Sequence, residues 1–135
     1  MASPTPGLLY LDASALVKLI QAEAETAALL AQLGRWREHV TSVVGETEMH
    51  RAARRTGVVS EAEVDEVLER VALLALDEPV RQLARQVGSP RLRTLDAVHL
   101  ASALSLGDEL GGFCCYDKRL AEDAERAGLT VIAPL

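Results

Sequence analysis

The sequence predicts an α/β domain, a central parallel sheet with helices on both faces, and three observations carry that reading. Short apolar or β-branched runs alternate with longer segments of helical period, and short connections punctuated by glycine and capping residues join them. The length, 135 residues, is that of one domain able to bury its own core. Residues 1–135 are therefore expected to form a single domain, with positions 1–7, which carry Pro4 and Pro6, as a flexible lead-in.

Leu8 to Leu11 is an apolar run that ends in Asp12 and reads as the first strand. Beyond Ser14, Leu16, Val17, Leu19 and Ile20 have helical spacing. A second helix covers roughly Ala24 to Leu33 and stops at Gly34, and His39 to Val43 suits a second strand. The next helix runs to Gly57. Ser60 with Glu63 has the form of a capping box, opening a helix to about Val71; a short strand over Leu73 to Leu76 then ends at Asp77. Glu78 to Val87 is helical and ends at Gly88. After the Ser89-Pro90 turn, Thr94 is placed to cap a helix from Leu95 to Leu106 that stops at Gly107. Phe113 to Tyr116 reads as a strand, Asp117 to Ala127 as a helix closed by Gly128, and Thr130 to Ile132 as the last strand.

Composition narrows the class. Apolar runs such as Ala97 to Leu104 carry His99 and Ser102 and fall short of the roughly eighteen residues a membrane span needs. The N-terminus lacks the basic start and apolar stretch of a signal peptide, so a cytoplasmic location is expected. Cys114 and Cys115 are sequence neighbours that point to opposite sides of a strand and have no other cysteine to pair with, which makes them buried, reduced thiols. A net charge of −6 argues against a generic nucleic-acid coat, whose affinity comes from basic surface. It leaves room for a nuclease, which clusters carboxylates around metal ions; the basic residues are locally grouped, at Arg51, Arg54 and Arg55 and at Arg91 and Arg93.

Asp12 and Asp117 each follow an apolar strand, so a parallel sheet places both at one edge, where ligands of open α/β sheets bind. Taken singly, each is as well explained as a helix cap. Asp96 is more telling, because it opens a helix apolar nearly all round, where a carboxylate must be protonated, hydrogen-bonded or bound to a cation. Glu46 and Glu48 lie about 200° apart on one helix, so only one faces such a site. Glu48 lies with Val44, Ala52 and Arg55 at the border of the apolar stripe and is preferred over Glu46, which shares the polar face with His50 and Arg54. His99 reads as a satisfied core histidine, Trp36 as a packed residue and Arg51 and Arg55 as a solvated face, each with a weaker functional alternative: metal ligand, base stack and phosphate contact.

Four blocks now combine: Tyr10-Leu11-Asp12-Ala13-Ser14-Ala15-Leu16; Ser42 with Glu48-Met49-His50-Arg51-Ala52; Leu92-Arg93-Thr94-Leu95-Asp96-Ala97-Val98-His99-Leu100-Ala101; and Tyr116-Asp117-Lys118-Arg119-Leu120. In that order, across nearly the whole chain, they resemble a PIN domain and more narrowly the VapC-type toxins of bacterial toxin–antitoxin pairs. The resemblance implies a three-layer α/β/α fold whose acids, falling on Asp12, Glu48, Asp96 and Asp117, hold one or two divalent ions and cut RNA. It also implies a VapB-like antitoxin that blocks the acidic site, and a toxin homodimer. Hard oxygen ligands without a Cys-His cluster suit Mg2+ or Mn2+ better than zinc. On this reading Asp12, Asp96 and Asp117 are the metal ligands, and Glu48 is a ligand through water or orients the attacking water. Two positions depart from the family pattern. Cys115 stands where a threonine is frequent, and Ala13 where a hydroxylic residue is, leaving Ser14 as the hydrogen-bonding group near the metal.

Two other activities fit less well. A structure-specific DNA nuclease of the same fold would use the same acids. A receiver-like signalling domain is disfavoured, because Thr130 to Leu135 offers no lysine and a single acid follows the first strand.

Overall fold

The computed structural model describes residues 5–135. In chain order its elements are β1 (Thr5–Leu11), α1 (Ala13–Ile20), α2 (Thr26–Leu33), β2 (Trp36–Ser42), α3 (Val43–Thr56), α4 (Glu61–Leu68), β3 (Ala72–Leu74), α5 (Glu78–Ala84), α6 (Thr94–Leu104), β4 (Leu110–Cys114), α7 (Lys118–Arg126) and β5 (Val131–Ile132). The five strands form one parallel sheet in the order β3-β2-β1-β4-β5. The chain builds outward from β1 to β3, then returns to lay β4 on the other side of β1. Strand order therefore reverses between β1 and β4, the position at which open α/β sheets leave a crevice beyond their carboxyl ends.

Strand alternation sorts the core into two layers. Leu9, Leu11 and Cys114 pack with Leu16, Leu29, Met49 and Val64, from the helices α1 to α4. Tyr10, Phe113 and Cys115 face the other way, against Leu100 and Ala103 of α6 and Leu120 and Ala124 of α7. The cysteines are free, buried and on opposite faces, as their adjacency predicts. The result is the three-layer α/β/α arrangement. Helix α6 is its most enclosed helix, with every residue from Ala97 to Ala103 buried.

The structure corrects several boundaries. Thr5 to Gly7 begin β1 instead of preceding it; positions 1–4 lie outside the described residues. Gly7, at φ +89°, takes up the register shift between Thr5 and Leu8. Strand β2 starts at Trp36, because Arg37 and Glu38 occupy exposed positions that hide the pattern, and it ends at Ser42, which caps α3 through Val44 N–H. Strand β4 starts at Leu110, with Gly111 and Gly112 inside it. A side chain at Gly112 would meet Ile132 at 2.5 Å and the Trp36 indole at 3.2 Å, so packing overrides poor strand propensity there. Helix α6 starts at Thr94; the capping position is Arg93, which makes no side-chain capping bond.

Gly45 lets α3 approach β2 and α1. A methyl group there would lie 2.7 Å from Thr41 Oγ1 and 3.0 Å from Leu16 Cδ1. Thr41 cannot swing aside freely, since its hydroxyl donates to Leu11 O at 2.7 Å. Overpacking of about 1–3 kcal/mol outweighs the at most about 1 kcal/mol of helix propensity that alanine gains. Gly45→Ala is therefore expected to lower unfolding free energy by about 1–2 kcal/mol, read by urea denaturation; a stabilised variant would contradict this packing.

Candidate active site

Asp12 follows β1 directly and caps α1. Its Oδ1 accepts from Ala15 N–H at 3.0 Å and from Ser14 Oγ at 2.6 Å, and the residue is 2% exposed. Ser14 Oγ in turn accepts from Tyr116 N–H at 2.9 Å, tying the start of α1 to the chain leaving β4. The next residue, Asp117, caps α7 through Oδ1, which accepts from Leu120 N–H at 3.0 Å. Both aspartates are thus helix caps, and in both the caps fall on Oδ1.

Asp96 stands in the first turn of α6, and Glu48 reaches in from α3. The four carboxylates, from four separate elements, line one open cavity of about 400 Å³ at the β1/β4 crevice, together with Ser14 and Arg93. Glu46 lies elsewhere, on a groove shared with Arg51. Arg55 is exposed, and Trp36 is buried in the core.

The cavity disfavours its own negative charge. Burial raises the Asp12 carboxyl above its ordinary value against the bond from Ser14. Asp96 is raised by burial and then by the charge of Asp117, with Arg93 opposing. Arg93 stands between two acids, 3.7 Å from Asp96 Oδ2 and 3.8 Å from Asp117 Oδ2, too far for strong hydrogen bonds. Cys115, where a hydroxyl was in question, donates through Sγ to Asp117 O at 3.4 Å.

Sequence reading missed two neighbours of the acids. His99 is satisfied and fully buried, as expected, but one of its partners is Glu48, with Nε2 2.6 Å from Oε1. The Asp96-x-x-His99 spacing on one helix face was the available signal. Arg93 had registered only as one of a basic pair. It also opens onto a second groove of about 270 Å³ that shares Asp96 and adds Arg91, Arg119 and Arg126.

The donor set fits a hard divalent cation. It offers carboxylate oxygens, two of them poorly stabilised as anions. The four acids line one open cavity, but among the described residues no three metal-binding side chains are drawn close enough to enclose an ion by themselves, so a cation there would complete its shell with water. Because Asp12 and Asp96 bind protons more tightly folded than unfolded, the stability they contribute is fully present below about pH 4 and is lost as pH rises through their folded values. Magnesium at one hundred times its Kd is accordingly expected to add about 2.7 kcal/mol at pH 7 and almost nothing near pH 4. Thermal melts at both pH values check this, and a cation-indifferent Tm at pH 7 would contradict it.

The PIN-domain family model matches residues 9–125. The chain belongs to the PIN-domain family. Ribonuclease VapC46 of Mycobacterium tuberculosis (strain ATCC 25618 / H37Rv) is 40% identical to this PIN domain over 126 residues, covering 93% of this chain and 97% of that one. Ribonuclease VapC47 of M. tuberculosis (strain CDC 1551 / Oshkosh) is 37% identical over 132 residues, covering 94% and 97%. These relatives place the PIN domain in the VapC-type toxin group. Its fold is shared with M. tuberculosis VapC20, a Sarcin-Ricin loop cleaving toxin, at TM-score 0.70 and 15% identity over 93% of this chain and 99% of that one. A toxin–antitoxin complex from Klebsiella pneumoniae has a chain of the same fold, at TM-score 0.70 and 18% identity over 94% and 98%. No helix among the described residues is long and apolar enough to cross a membrane.

Proposed function

We propose that this PIN domain is a Mg2+- or Mn2+-dependent endoribonuclease, the toxin of a VapBC-type pair, working as a single domain in the cytoplasm. The observation that carries the reading is the convergence of Asp12, Glu48, Asp96 and Asp117 on one cavity at the crevice of the sheet. The names of the relatives supply the substrate class.

Asp12, Asp96 and Asp117 would hold the cation, with Glu48 bonding through water. The bound cation would lower the pKa of an attacking water and stabilise charge on the scissile phosphate. Ser14 holds Asp12 in place, and Glu48 orients the water on the α3 side of the cavity. Arg93 offsets the negative floor where a phosphate must approach. Arg126 is engaged by Asp123 at 3.3 Å, which leaves Arg91 and Arg119 to take flanking phosphates in the adjoining groove. The chain's charge of −6 suits a basic antitoxin segment laid over the acids, and the toxin–antitoxin complexes among the structural neighbours support such a partner; a toxin homodimer is part of the same proposal.

The test is incubation of antitoxin-free protein with labelled structured RNA and matched DNA, in magnesium, manganese or chelator. Cleavage of RNA alone, abolished by chelator, is expected. Cleavage of DNA in preference to RNA would replace the ribonuclease reading, and no cleavage of a broad panel by folded protein would count against activity.

A further inference from the structure

We infer that His99 is a positioning residue: held by Tyr10 at Nδ1, it fixes Glu48 in the carboxylate cavity through Nε2. The functional part of this inference rests on the reading above.

A buried chain of hydrogen bonds connects the sheet to the site. Ser42 N–H donates to Tyr10 Oη at 3.1 Å, Tyr10 Oη lies 2.7 Å from His99 Nδ1, and His99 Nε2 lies 2.6 Å from Glu48 Oε1. Tyr10 and His99 are both fully buried, and their rings meet edge-on at 77°. The Glu48 carboxylate is an acceptor only, so the ring carries a proton on Nε2 aimed at Oε1, while Tyr10 Oη, itself accepting from Ser42, holds the opposite side of the ring at Nδ1.

The consequence falls on Glu48. A glutamate has rotamer freedom that a catalytic geometry must remove. The imidazole removes it through Oε1, leaving Oε2 for the cavity. Because Tyr10 belongs to β1 and accepts from the end of β2, Glu48 is referenced to the same two strands that position Asp12 and α3.

The full chain contains three histidines, so its 15N-histidine spectrum is simple, and His99→Gln identifies the relevant ring. The expected result is a protonated Nε2 whose downfield proton moves in Glu48→Ala. An unprotonated Nε2, or an Nε2 proton indifferent to Glu48→Ala, would overturn the inference. In Mn2+ titrations, His99→Leu is expected to bind about tenfold or more weakly, and His99→Gln, which restores a donor near Nε2, within about threefold of the parent chain. A folded His99→Leu protein with undiminished Mn2+ affinity also overturns it. If the parent chain binds no Mn2+, the metal reading fails while the spectrum still decides whether His99 is locked onto Glu48.

Discussion

Asp96→Asn is expected to reduce metal-dependent RNA cleavage by at least about a hundredfold while raising the Tm of the metal-free protein at pH 7 by a few degrees. The two effects have one cause. On the proposed function Asp96 gives a negative oxygen to a cation, and without one its charge is disfavoured by burial and by Asp117 and Asp12. Asparagine keeps the shape and removes the charge. The pair it forfeits, with Arg93, is at 3.7 Å to an exposed guanidinium and is worth little. Since the Asp96 proton is held more tightly in the folded state, the gain should grow as pH rises from about 4 and vanish at lower pH. Paired melts at pH 3.5 and 7, beside an RNA cleavage assay, test both halves; a lowered Tm with cleavage intact would sink the assignment.

Phe113→Ala is expected to cost about 3–5 kcal/mol, a large share of the 5–15 kcal/mol typical of a domain. Phe113 is fully buried on β4 and stacked on Tyr10, with ring centroids 5.4 Å apart and planes 15° from parallel. Its removal leaves a cavity against the ring that orients His99. Cleavage per folded molecule should therefore fall as well, at temperatures where the variant remains native. Denaturant melts give the first number and cleavage scaled to folded fraction the second; a loss below about 1 kcal/mol would mean that the site collapses around the gap.

The parts of the site that local chemistry dictates were readable in the sequence. Asp12 and Asp117 end apolar runs, Asp96 is the lone charge opening an apolar helix, and counting around α3 separates Glu48 from Glu46. The fold followed from alternation of strand and helix signals. What stayed hidden depended on contacts distant in sequence. The His99–Glu48 bond spans 51 residues, and the strand character of Leu110 to Gly112 comes from Trp36 and Ile132 packing over two glycines. The start of β2 was masked because Arg37 and Glu38 are exposed there.

The capping duty shared by Asp12 and Asp117 divides the four acids by what their loss entails. Replacing either one removes a helix cap worth about 0.5–2 kcal/mol along with its charge, whereas Asp96 and Glu48 cap nothing. In a lineage where activity becomes a burden but the folded domain is still needed, substitutions at 48 and 96 are the less damaging way to silence it. Inactive descendants that persist as folded binding modules should keep the two strand-end aspartates long after the other two acids have drifted.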